Sequence, residues 1–63
     1  MIEIRYTRNG KGYAFAIKMQ SGYMKSDGYP TLDLCENEAR GIVNESRGKE
    51  SLKEIYEPET LKQ

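Results

Sequence analysis

The stretch that decides the fold runs from residue 2 to residue 17: Ile2-Glu3-Ile4-Arg5-Tyr6-Thr7-Arg8-Asn9-Gly10-Lys11-Gly12-Tyr13-Ala14-Phe15-Ala16-Ile17. Ile2, Ile4 and Tyr6 alternate with Glu3, Arg5 and Thr7, the period of a strand with one buried face. Asn9-Gly10 then supplies a strong hairpin signal, because both central residues of a type I′ turn need positive φ. With Asn9-Gly10 as the two-residue loop, Tyr6 faces Tyr13, Ile4 faces Phe15 and Ile2 faces Ile17. Arg5 then faces Ala14, and Glu3 faces Ala16, on the other side. A one-residue slip would scatter the apolar set, so pattern and turn support each other.

Outward from this hairpin, Gln20-Ser21-Gly22 signals a second turn. With Ser21-Gly22 as the loop, Met19 faces Met24 and Lys18 faces Lys25. Two lysines directly opposite are mildly unfavourable, so either the register differs or an acidic partner stands there. Asp27-Gly28 is a further turn signal. Tyr29-Pro30 ends the sheet, since a residue before proline prefers extended backbone. A helix is expected over 31–47, capped by Thr31 or Asp33, with Asp33 and Glu36 at capping-box spacing. Leu32, Cys35, Ala39, Ile42 and Val43 form its apolar stripe. Gly41 weakens it by about 1 kcal/mol against alanine, and Gly48 suits a left-handed cap.

Residues 49–57 read two ways. Leu52, Ile55 and Tyr56 fit helical spacing, and the mixed charges at Lys49, Glu50, Lys53 and Glu54 agree with a short helix. A strand would divide the three apolar residues between two faces. The short helix is therefore favoured over a fourth strand. Pro58 stops either element, and 58–63 reads as a frayed tail. The expected architecture is a single α+β domain over 1–63. It has a three-stranded antiparallel sheet of two hairpins over 1–29, packed on one helix, with a short C-terminal helix or fourth strand.

Charge divides at the same boundary as periodicity. Residues 1–29 carry a net of +3 and residues 30–63 a net of −3, so the whole chain is neutral. This pattern predicts a basic sheet and an acidic helical side. Of the 63 residues, 37% are hydrophobic and 32% charged, as in a globular domain with a thin core. No apolar run approaches the ~20 residues a membrane span needs, and the N-terminus shows no apolar signal core. No membrane partner and a cytoplasmic location are expected.

Histidine is absent and Cys35 is the single cysteine. The commonest general base, the usual zinc ligand sets and an internal disulfide are thereby removed. Gly10 and Gly12 lack the context of a phosphate-cradling loop. Catalysis would have to rest on carboxylates, tyrosine, lysine or Cys35. The expectation is no enzyme, no cofactor and no metal. Cys35 lies in the first helical turn, where the dipole can activate a thiol, but also on the apolar stripe, where a small buried hydrophobe is expected.

Two family resemblances rest on named residues. Tyr13-Ala14-Phe15-Ala16-Ile17-Lys18, Gly28-Tyr29 and Cys35-Glu36-Asn37 resemble the YegP-like family of small sheet-plus-helix proteins. That resemblance covers roughly 4–44 and implies a three-stranded antiparallel sheet on one helix, often repeated or dimeric, with no settled activity. The chain departs from it in the acidic helix and the segment after Gly48. Gly28-Tyr29-Pro30-Thr31, followed by Glu38-Ala39, resembles the arm-type DNA-binding domain of tyrosine recombinases. There a three-stranded sheet enters the major groove, which implies a nucleic-acid-binding sheet here.

The candidate partner-binding residues are Arg5, Arg8, Lys11, Lys18, Tyr23, Lys25 and Tyr29. Basic side chains with an interleaved aromatic suit phosphate contact and base stacking. Lysines on a solvated face equally discourage edge pairing. Among the tyrosines, Tyr6 and Tyr13 are expected in the core, leaving Tyr23, Tyr29 and Tyr56 for a surface. Glu36, Glu38, Glu45, Glu50 and Glu54 could imitate a phosphate backbone, but interleaved Arg40, Arg47, Lys49 and Lys53 favour an ordinary solvated face. By size and composition, a 63-residue chain opening on Met1 is like the small regulators and inhibitors of phages and mobile elements. The expected function is non-catalytic binding to a larger protein. Nucleic-acid binding through the basic sheet is the alternative, and a homodimer is left open.

Overall fold

The computed structural model describes residues 1–20, 22–46 and 51–61. Strands β1 (Ile2–Asn9), β2 (Gly12–Met19) and β3 (Gly22–Tyr29) form the antiparallel meander, and α1 (Leu32–Ser46) follows. A fourth strand, β4 (Leu52–Tyr56), comes next, and a 3-10 turn (Pro58–Leu61) closes the described chain. The sheet order is β3-β2-β1-β4, with β4 parallel to β1.

The first hairpin keeps the expected faces but not the expected pairs. Asn9 pairs with Gly12, Tyr6 with Phe15 and Ile4 with Ile17, a shift of two residues from the expected register. Among the described residues no non-glycine has positive φ. Asn9 therefore does not take the left-handed conformation that a type I′ loop on Asn9-Gly10 demands. Instead the Asn9 Oδ1 accepts the Lys11 N–H at 2.8 Å, and Gly12 takes the positive φ, at 118°. A Cβ on Gly12 would stand 2.5 Å from the Tyr29 carbonyl oxygen, so glycine alone fits. A shift by two preserves the alternation, which is why pattern alone could not detect it.

The second hairpin shifts in the same way. Met19 pairs with Gly22, Ile17 with Met24, Lys18 with Tyr23 and Ala16 with Lys25. The expected loop residue Ser21 lies outside the described residues. The two lysines are no longer opposed, and Glu3 stands across from Lys18 on the other side.

Further along, Phe15 pairs with Ser26 but Tyr13 pairs with Tyr29. The extra residue sits in the Asp27-Gly28 stretch, where Gly28 has φ 87°. This bulge inverts the facing of everything beyond it. It turns Tyr29 onto the helix side, where its ring lies 5.7 Å from Phe15.

In α1 the cap is Thr31, whose Oγ1 accepts the Leu34 N–H at 3.2 Å. Cys35, Ala39 and Val43 are fully buried against Ile2, Ile4, Tyr6, Phe15 and Ile17, with Leu32 and Ile42 flanking. Arg47, Gly48, Lys49 and Glu50 lie outside the described residues, including the expected Gly48 cap.

Residues 52–56 correct the favoured helix reading to a strand. β4 does divide its apolar residues: Leu52 and Tyr56 share the helix side with Ile2 and Tyr6, and Ile55 sits beside Arg5 on the other face. Both placements are useful, because β4 extends a two-faced sheet. The stretch after it also departs from a frayed end. Thr60 is buried, its Oγ1 donates to the Tyr6 carbonyl at 2.9 Å, and the Glu57 N–H donates to the same oxygen at 3.0 Å. Lys62 and Gln63 lie outside the described residues.

Candidate functional site

One face of the sheet carries the helix and, among the described residues, no helix covers the other, bare face. The bare face follows from the pairing. Glu3, Arg5 and Thr7 of β1 lie beside Ala14, Ala16 and Lys18 of β2, with Tyr23 and Lys25 of β3 and Lys53 and Ile55 of β4 at its sides. Ala14 and Ala16 are the small residues of the central strand. Around them opens a groove of about 440 Å³, lined by Arg5, Thr7, Asn9, Tyr23, Lys25 and Asp27 among others. Tyr23 keeps 66% of its surface exposed.

The charge of this face is smaller than its cations suggest. The Arg5 guanidinium is 2.9 Å from the Glu57 carboxylate and 3.7 Å from Glu3. Its hydrogen bond to Glu57 raises its pKa above the usual arginine value. Lys18, Lys25 and Lys53 have no ion-pair partner within 4 Å among the described residues.

The seven sequence-selected residues are thus not one cluster. Arg5, Lys18, Tyr23 and Lys25 share the bare face. Lys11 is exposed at the hairpin tip. Arg8 pairs with Tyr13 on the helix side and stacks over its ring at 5.2 Å. Tyr29 is half-buried on that side, its hydroxyl 3.2 Å from the Ser26 Oγ.

A second polar cluster lies between α1 and β4, and sequence reasoning did not assemble it. Arg40 donates from Nε and Nη2 to the two Glu54 oxygens at 2.8 and 3.2 Å. The Tyr6 hydroxyl donates to Glu54 at 2.6 Å. The Tyr56 hydroxyl donates to Glu36, and the Tyr56 ring stacks on Tyr6 at 4.7 Å. Glu36 and Arg40 also face each other at i,i+4, 3.5 Å apart. Two carboxylates and an arginine expected on a solvated helix face are therefore tied to the sheet. The only advance signal was Glu54 and Tyr56 two apart, which shares a face only if the segment is a strand.

Glu54, Tyr6, Tyr56 and Arg40 are each held in one protonation state. Hydrogen bonding from Arg40 keeps Glu54 below the usual carboxylate range. Burial raises the Tyr6 phenol, and burial followed by the bond to Glu36 raises Tyr56 to about 12. Burial, with a smaller effect from Glu36, pushes the Cys35 thiol to about 11. The thiol is fully buried and neutral, unlike a reactive thiolate. The cluster is suited to holding β4 under the helix rather than to exchanging protons near neutral pH.

Among the described residues, no group of three or more His, Cys, Asp or Glu is placed to hold a metal ion. No helix there is long and apolar enough to cross a membrane. No family model, curated protein or solved structure matches the chain.

Proposed function

We propose that this chain is a small non-catalytic binding module that engages a protein partner through its bare sheet face, acting as a regulator or inhibitor of a larger protein. The observation that carries this reading is Tyr23. It is a large, exposed aromatic on a face that no helix covers among the described residues, beside a groove floored by two alanines. Tyrosine gives contact area at low entropic cost and is favoured at interface centres. Lys18 and Lys25 flank it as rim charges that steer association.

A phosphate-binding sheet is less well supported, because Arg5 is already satisfied by two carboxylates and nucleic-acid-binding domains carry a concentrated basic stripe. The test is capture of partners on the immobilised protein, with and without nuclease treatment. Retained protein that survives nuclease and is lost with Tyr23→Ala more than with Lys18→Ala supports the reading. Retention that disappears with nuclease, or binding to DNA resin above about 0.3 M salt, overturns it.

A further inference from the structure

Among the described residues the outer face of α1 is as uncovered as the bare side of the sheet, and the two are chemically opposite. Asp33, Leu34, Asn37, Glu38, Gly41, Asn44 and Glu45 all point to solvent. Among the described residues that face holds three carboxylates and no cation, since Arg40 is turned away to Glu54 and Glu36. None of Asp33, Glu38 and Glu45 has an ion-pair partner within 4 Å among the described residues. Leu34 lies among them half-exposed, at 50%. Space is open around Gly41, where an added Cβ would meet nothing within 4 Å.

The sheet offers the complement. Lys18, Lys25 and Lys53 lie on it without an ion-pair partner within 4 Å among the described residues, Tyr23 is exposed, and Tyr23, Lys25, Arg5 and Asp27 line a groove floored by Ala14 and Ala16. Lengths agree as well: 15 helical residues span about 22 Å and an eight-residue strand about 26 Å. A helix with glycine and asparagine on its outer ridge can approach an alanine floor closely.

We propose that the acidic outer face of α1 docks on the bare sheet face of a second copy of this chain. This rests on the reading of that face as a protein-binding surface and names one occupant. The contact is heterologous, joining different patches on the two copies, so a joined pair retains one free patch of each kind, on opposite copies, and the association runs on without closing. The molecule measures 34 × 18 × 17 Å, so a face is at most about 600 Å². A footprint of that size from each partner lies at the low end of stable interfaces. The assembly is therefore weak and concentration-dependent, and the neutral net charge of the chain does not oppose it.

Sedimentation of the full chain, from about 10 μM to about 1 mM, tests this in low and high salt. At low salt the average mass is expected to rise past twice the monomer mass with concentration. Half a molar salt should weaken association about tenfold by screening the cross-copy ion pairs. E38K/E45K and K18E/K25E should each be monomeric, and circular dichroism should show both folded, since all four positions are exposed. Mixing the two variants restores opposite charges across the contact and should restore association. A wild-type chain that stays monomeric at about 1 mM in low salt overturns the proposal. So does a salt-insensitive dimer, or association that survives charge reversal. In each of those cases partner capture through Tyr23 would still stand or fall on its own experiment.

Discussion

The two faces of the sheet are built from the same strands and are unlike in every other respect. The helix side holds Ile2, Ile4, Tyr6, Phe15 and Ile17, all buried, and satisfies its polar atoms internally through Glu54 and Arg40. The bare side holds alanines on β2, Glu3, Arg5 and Thr7 on the neighbouring β1, lysines on β3 and β4 at its margins, and an exposed tyrosine. Stability should therefore be concentrated on one side and recognition on the other. A domain this small has room for only one core layer, which leaves the second face available for contact.

The most severe way to break the helix side is Phe15→Ala. Removing the central ring beneath α1 should cost about 3–5 kcal/mol in denaturant titration, a large part of what a chain of this length has. A loss below about 1 kcal/mol would mean that Phe15 is not packed as described.

Next is Glu54→Ala, which leaves the Tyr6 hydroxyl and the Arg40 guanidinium without their shared acceptor. About 2 kcal/mol of destabilisation is expected. A pH signature accompanies it. Glu54 is held below its ordinary value in the folded state, so between the folded and unfolded pKa values the unfolded chain binds more protons. The contribution is full above about pH 4.3 and is lost as pH falls through the folded value. Glu54→Gln should flatten this part of the stability–pH curve. An unchanged acid limb would remove the clamp from the account.

Smaller effects belong to the bare side. Arg5→Ala deletes half-exposed ion pairs to Glu57 and Glu3 and should lower stability only slightly, and less still in high salt. Smallest is Tyr23→Ala, expected within about 0.5 kcal/mol of wild type in thermal or chemical unfolding, while weakening partner capture most. A Tyr23→Ala chain that unfolds readily would place Tyr23 in the core and erase the contrast between the faces.

Much of this contrast was legible beforehand. Ile2, Ile4 and Tyr6 at spacing two, with Phe15 and Ile17, identified the buried face, and Cys35, Ala39 and Val43 at helical spacing identified what covers it. The placement of Arg5, Lys18 and Lys25 on the opposite face followed from the same alternation. The facing of Tyr29 was not legible, because alternation counts residues and a bulge adds one. The Asp27-Gly28 turn signal marked the place but not the consequence. The segment 52–56 was ambiguous because its apolar residues fit helical spacing as well as a strand that uses both faces.

By itself the sequence determined the alternation of the first three strands, the helix and its apolar stripe, and the opposite charges of its halves. These are local properties, set by side-chain periodicity and turn chemistry. Only the tertiary structure decided the pairing register, the facing of Tyr29, the strand state of Leu52–Tyr56 and the clamp of Glu54 with Arg40, Tyr6, Tyr56 and Glu36. The reason is that a shift of two leaves every periodicity intact. The choice between such registers falls to distant contacts: the Tyr29 carbonyl over Gly12, and a carboxylate on the last strand reaching an arginine on the helix.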